Sequence, residues 1–292
     1  MNTATTPMDR GESASPAWVG VGCFAVVAVA AYGPILLEMG RDWARDDNYS
    51  HGFLVPFVAA FFLWQRRERL AGLAPRPAWS GLLLLLIGLA GLVVGEIGAE
   101  QFTKRLSLLV VLGGGVAFLA GWRWLRAVAF PYAYLLFMVP LPYIVYDAVA
   151  FPLKLFAARF ATTVVANLGI PIYAEGNVIY LESTTLQVAD ACSGIRSLMS
   201  LLALAAAFAY LTQRPGWRRW CLFLAAIPIA IATNMARIIG TAVLANHYGA
   251  KVAMGFFHEF AGLVVFGVAL VLLFVAGALL ARVGRRGAEG AA

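Results

Sequence analysis

Eight apolar runs, most of them long enough to cross a bilayer, dictate what this chain can become. They fall at 17–38, 51–65, 79–99, 106–122, 127–146, 192–212, 220–245 and 259–280. A hydrocarbon core about 30 Å thick needs about 20 residues of helix to cross it. Inside that core each backbone amide must be bonded within its own segment or a closed barrel. A chain that is 62% hydrophobic and 13% charged cannot show such a surface to water. The expected fold is therefore all-α, a polytopic membrane protein of about eight transmembrane helices. The run at 51–65 is the shortest and contains Pro56; it starts earlier, near Asn48, or lies tilted. Residues 151–169 carry Lys154 and Arg159 in otherwise apolar sequence and read as an amphipathic helix at the interface, not a ninth span. The organisation expected is a polar N-terminal tail (1–16) without a cleavable leader pattern, one transmembrane domain (17–281) and a basic tail (282–292).

Charge placement orients these spans. The net charge of +7 fits retention of basic residues on the cytoplasmic side better than nucleic-acid binding. Arg10, Arg66, Arg67, Arg69, Arg76, Arg123, Arg126, Arg214, Arg218, Arg219, Arg282, Arg285 and Arg286 fall on one set of connecting segments. Arg41, Arg45, Lys104, Arg105, Lys154, Arg159 and Lys251 fall on the other. Thirteen basic residues against seven, out of 22, put both termini in the cytoplasm. Arg196 and Arg237 lie within the runs. In this topology residues 171–191 form an outer loop whose alternating "GNVIYLESTTLQVADA" reads as a short β-like strand or hairpin before the sixth span. Cys192 opens that span from outside. Arg237 lies in the outer half of the seventh, about 12 Å below its end near Ala245, and His258 opens the eighth.

Several residues in that outer zone are costly to keep there. In "VADACSGIRSLMS", Asp190 is a candidate N-cap, with Cys192 and Ser193 in the first turn. A thiol at a helix N-terminus is biased toward the nucleophilic thiolate. Arg196, four residues on, shares the face of Cys192, and Gly194 leaves room for a substrate backbone. The blander reading is a packing cysteine beside a snorkelling arginine. Cys23 and Cys221 read as inert packing residues. In "ATNMARIIG", Asn234 and Arg237 share a helix face in apolar surroundings. An intramembrane arginine marks a functional site or a buried ion pair. The functional alternative is a fixed cation for a thiolate, a carboxylate or a developing oxyanion; the structural one is a pair with an acid such as Glu96. In "GFFHEFAG", His258 is a candidate general acid or base, and a cysteine plus a histidine is the minimum for thiol acyl transfer. A zinc-protease reading fails because H-E-x-x-H would need histidine where Gly262 stands. No C-x-x-C spacing exists, and no metal or other cofactor is expected. In "DDNYSHGFLVP", His51 is the alternative base, while Asn48, Tyr49 and Ser50 cap the following helix or line an entrance.

Together "NYSHGFLVP", "ACSGIRS", "NMARI" and "HEFAG" resemble the exosortase/archaeosortase family in order and spacing, over roughly residues 43–280. The resemblance implies a cysteine protease or transpeptidase of the bacterial inner membrane with its site facing the periplasm. It implies Cys192 as nucleophile, Arg237 as thiolate or oxyanion stabiliser and His258 as acid/base; Arg196, Asn234, Asp190, Ser193 and His51 are expected in support from their own placement. The implied partners are membrane lipids and exported proteins ending in a PEP-CTERM signal, that is, a Pro-Glu-Pro motif, a transmembrane helix and a basic cluster. An exopolysaccharide or biofilm system is the implied setting, and the extra C-terminal periplasmic domain of some members is expected to be missing. The rival reading is a transporter or flippase in exopolysaccharide export, which needs the arginines but not the thiol and predicts related halves with broken helices. A third is a structural assembly subunit.

Overall fold

The computed structural model describes residues 15–182, 184–188, 194–249 and 256–289, with backbone alone at 15–18, 194, 195, 256–259 and 283–289. Helix dominates. Among the described residues, six helices are long and apolar enough to cross a membrane: Val19–Arg45, Trp79–Ile97, Gln101–Leu119, Tyr143–Asn167, Trp217–Tyr248 and Phe260–Arg282. Ala129–Met138 and Arg196–Thr212 are shorter apolar helices. The chain is an all-α multi-pass membrane protein carrying one small sheet. It divides into two compact units, Met1–Asp42 with Gly52–Pro140 and Trp43–His51 with Leu141–Ala292.

The first unit contains most of α1 (Ser15–Arg45), α2 (Leu54–Gln65), α3 (Arg67–Ala71), α4 (Trp79–Ile97), α5 (Gln101–Leu119), α6 (Trp122–Ala127) and α7 (Ala129–Tyr134). Lipid is as apolar as leucine, so helices in it associate by close packing of small residues. In α4, Gly81, Gly88 and Gly95 recur every seventh position and are buried. Their ideal Cβ positions would lie 2.3 Å from Phe118 N, 2.8 Å from Val111 N and 2.9 Å from Lys104 N of α5. The two backbones touch, and glycine is what lets them. Lys104 pairs with Glu96 at 3.1 Å and Arg105 with Asp42, so Glu96, considered above as an acid for Arg237, has a partner in its own unit.

One expected span divides differently. Residues 127–146 do not make a single helix: α6 and α7 are followed by a 3-10 turn, Leu135–Met138, and α8 (Tyr143–Asn167) begins afresh. Pro140 and Pro142 remove amide donors and push their predecessors out of helical geometry. Neither does 151–169 form a separate surface helix, because residues 151–167 belong to α8. An interfacial helix turns polar residues outward. On α8 the exposed positions include Ile144, Val149, Phe151, Phe156 and Phe160, while Ala150, Ala157, Ala158 and Ala161 face the protein. Bulk outward and alanine inward is the pattern of a helix sheathed by lipid.

The second unit is built on α8, a sheet and three further helices: α9 (Gly194–Thr212), α10 (Trp217–Tyr248) and α11 (Phe256–Glu289). The sheet runs β1 (Ile172–Glu175), β2 (Val178–Leu181) and β3 (Thr184–Gln187) in antiparallel order β1-β2-β3. Glu175 faces Val178 across a two-residue loop, in which Gly176 takes φ +62°, a region glycine enters without strain. Ile179, Leu181 and Leu186 point inward onto Ala157, Ala161 and Val165 of α8 and Ile238, Ala242 and Ala245 of α10. A second core joins Leu201, Ala205 and Ala209 of α9 to Leu222, Ala226 and Ala230 of α10 and Leu273 of α11. These two cores set the helix ends around which the site forms.

Candidate active site

Cys192, Asp190 and Ser193 lie outside the described residues, which resume at the first residue of α9. The surroundings of the other candidates are defined. Residues Asp47–Phe53 form a 3-10 turn. Asp46 sets it up: its Oδ1 accepts from the Asn48 amide at 2.9 Å and from Asn48 Nδ2 at 2.7 Å, and its carbonyl accepts from the Tyr49 amide at 2.9 Å. Short polar side chains that bond their own backbone favour such turns over continued helix. Ser50 closes back on the Asp47 carbonyl at 3.1 Å. Tyr146 of α8 donates to Asn48 Oδ1 and Tyr49 to the Leu141 carbonyl, each at 3.4 Å. Burial first, then the nearby Asp46 carboxylate, pushes the Tyr49 phenol up to about 12, so it stays a neutral donor.

This turn meets α9. Asp47 Oδ2 lies 3.2 Å from Arg196 Nη2, and His51 Nδ1 lies 3.5 Å from Ser200 Oγ. Beside them opens a cleft of about 410 Å³ lined by Ser50, Arg196, Ser197, Ser200, Arg237, Gly262 and Phe266. Two guanidinium groups and three hydroxyls supply its polar lining, so it favours negative charge. Arg237 reaches the cleft from α10 and lies along α11 at Gly262: an ideal Cβ there would stand 3.8 Å from Arg237 Cζ and Nη2 and 3.9 Å from Nη1. His258 belongs to the first turn of α11, four residues before Gly262 and hence on the same helical face. The position that spoils a zinc motif is the one that admits a guanidinium.

Asn234 parts from its expected neighbour. It lines a separate hollow of about 30 Å³ with Ala150, Lys154, Val188, Leu198 and Met235. Cys23 and Cys221 are exposed free thiols on α1 and α10, not packing residues as expected; their helices turn them outward. Asp47, Ser197, Ser200 and Phe266 were not singled out in the sequence, and Gly262 was noted only as the residue that defeats a zinc motif. The one available signal was spacing: Arg196 and Ser200 are four residues apart and so share one helical stripe.

A model of the transmembrane exosortase family matches residues 43–275. The chain belongs to the transmembrane exosortase family. No curated protein and no solved structure matches it significantly. The matched region of this exosortase begins at Trp43, where the second unit also begins, and takes in the turn, Arg196, Arg237 and His258. Membership makes the chain a membrane-embedded protein of sorting-signal processing, in a peptidase/transpeptidase family that acts on exported proteins.

Proposed function

We propose that the chain is a cysteine peptidase or transpeptidase of the bacterial inner membrane. It cleaves the C-terminal PEP-CTERM-type signal of exported proteins at the periplasmic face, in service of an exopolysaccharide or biofilm system. The observation that carries the reading is the cleft. It holds Arg196, four residues after Cys192 in sequence, together with Arg237, which lies at Gly262, four residues after His258. The single transmembrane domain at 17–281 presents this cleft outward, with the tails at 1–16 and 282–292 in the cytoplasm, as the distribution of Lys and Arg supports.

In the reaction, Cys192 Sγ attacks the scissile carbonyl, and the C–N bond breaks to leave a thioester on the enzyme. His258 protonates the departing amine and then takes the proton of the acceptor. Arg237 balances the negative charge that passes from thiolate to carbonyl oxygen. Arg196, His51, Ser193 and Asp190 support the reaction, whereas Asn234 lines a separate hollow. Water as acceptor completes hydrolysis; an amine completes transpeptidation. The test is mass spectrometry of a substrate's C-terminus from cells carrying the native enzyme or Cys192→Ala. The native enzyme is expected to yield a truncated or conjugated end and Cys192→Ala an intact tail. Normal processing by a membrane-inserted Cys192→Ala enzyme refutes the reading and favours a transport or assembly role.

A further inference from the structure

Asp47 and His51 are four residues apart, and so are Arg196 and Ser200. They pair in order, Asp47 with Arg196 at 3.2 Å and His51 with Ser200 at 3.5 Å. One contact would let the turn pivot on α9; two, a helical turn apart, set its register and its rotation together. From behind, the turn is held to α8 through Tyr146 and to the Leu141 carbonyl through Tyr49. The Asp47 and Arg196 side chains are 72% and 49% exposed. An ion pair that open to solvent adds little to folding. What it does supply is direction: a long, flexible arginine at the cleft wall is restricted to the conformers that reach Asp47. Likewise a hydroxyl at Nδ1 restricts the ring rotation and tautomer of His51.

We propose that Asp47 and Ser200 are positioning residues for the reaction at this cleft. Asp47 aims the Arg196 guanidinium and Ser200 orients the His51 imidazole, so the turn acts as a two-point clasp on the helix that follows Cys192. The proposal rests on the cysteine-peptidase reading above, and its test separates the two.

Full-length enzyme in lipid nanodiscs is assayed with a substrate bearing a PEP-CTERM-type tail. Asp47→Asn is expected to lower kcat about tenfold with KM within about twofold, the scale of a misaimed group. Asp47→Glu keeps the charge and restores most of the loss. Because Asp47 acts through Arg196, the double variant Asp47→Asn/Arg196→Gln is expected to be no slower than Arg196→Gln alone. Ser200→Ala against His51→Gln follows the same pattern. A wild-type kcat in Asp47→Asn, losses that multiply in the double variants, or equal losses of activity and thermal midpoint in Asp47→Asn and Asp47→Glu each overturn the proposal. Cys192→Ala runs alongside: cleavage by it sinks the cysteine-peptidase reading whatever Asp47 does.

Discussion

Gly262 offers a graded test of the Arg237 site. An added Cβ would stand 3.8 Å from the guanidinium carbon, an ordinary van der Waals separation, so Gly262→Ala is expected to keep activity within about threefold. Valine is different. Its two γ carbons fill two of the three staggered positions, and χ1 is stiff in a helix. Each reaches about 1.5 Å beyond Cβ. Directed at the guanidinium, one would leave about 2.3 Å where contact needs about 3.5 Å. Arg237 must then retreat by about 1 Å, a misplacement that costs on the order of a hundredfold in rate, or about 2.7 kcal/mol of barrier. Valine is also a better helix former than glycine, so α11 itself is not weakened. The assay is single-turnover cleavage of a tailed substrate in nanodiscs, with thermal midpoints measured in parallel. An active Gly262→Val enzyme with unchanged kcat would refute the reasoning, since it would mean that the guanidinium is not needed where it lies.

Two further outcomes concern the first unit. Gly88→Leu is expected to lower the thermal midpoint sharply, because a Cβ at Gly88 already falls 2.7 Å from Val111 Cγ2 and 2.8 Å from its amide nitrogen; the same change at Gly22, with nothing within 4 Å, serves as control, and equal effects would contradict the backbone contact. Glu100 caps α5 by accepting from the Phe102 and Thr103 amides at 3.0 and 2.6 Å, and bonding from Thr103 foremost holds its carboxyl below the ordinary 4.5. A depressed folded value means the cap stabilises fully above the unfolded value and loses its effect as pH falls through the folded one. Glu100→Gln should therefore lower the midpoint at neutral pH, with the gap to wild type closing as pH falls below the ordinary carboxylate value; a gap independent of pH would count against the charged cap.

Legibility differed by scale. The glycine heptad of α4 and the Pro140/Pro142 break are both local signals, but the apolar residues on either side of the prolines together match the length of one span and mask the break. Lys154 and Arg159 suggested an interfacial helix at 151–169. The alanine face of α8 instead packs on α10 and the sheet, and its bulky residues point outward. Periodicity cannot tell which apolar face meets protein and which meets lipid when both are apolar. Arg196, Arg237 and His51 were recognisable because charge and imidazole are expensive in such surroundings. Asp47 and Ser200 were not, since one lies in a run of polar residues and the other is a single hydroxyl among leucines and a methionine.

What the sequence by itself determined was the solvent and the family. Composition and run length oblige these helices to sit in lipid, and four short motifs point to the family whose model matches residues 43–275. Those are local properties, readable one segment at a time. Which residues meet was decided only by tertiary structure. His51 and Ser200 are 149 positions apart, and no periodicity links them; they touch because α8, α9, α10 and the sheet pack in one arrangement that brings the turn against α9. That same packing separates Asn234 from Arg237, neighbours on one helix, into different hollows.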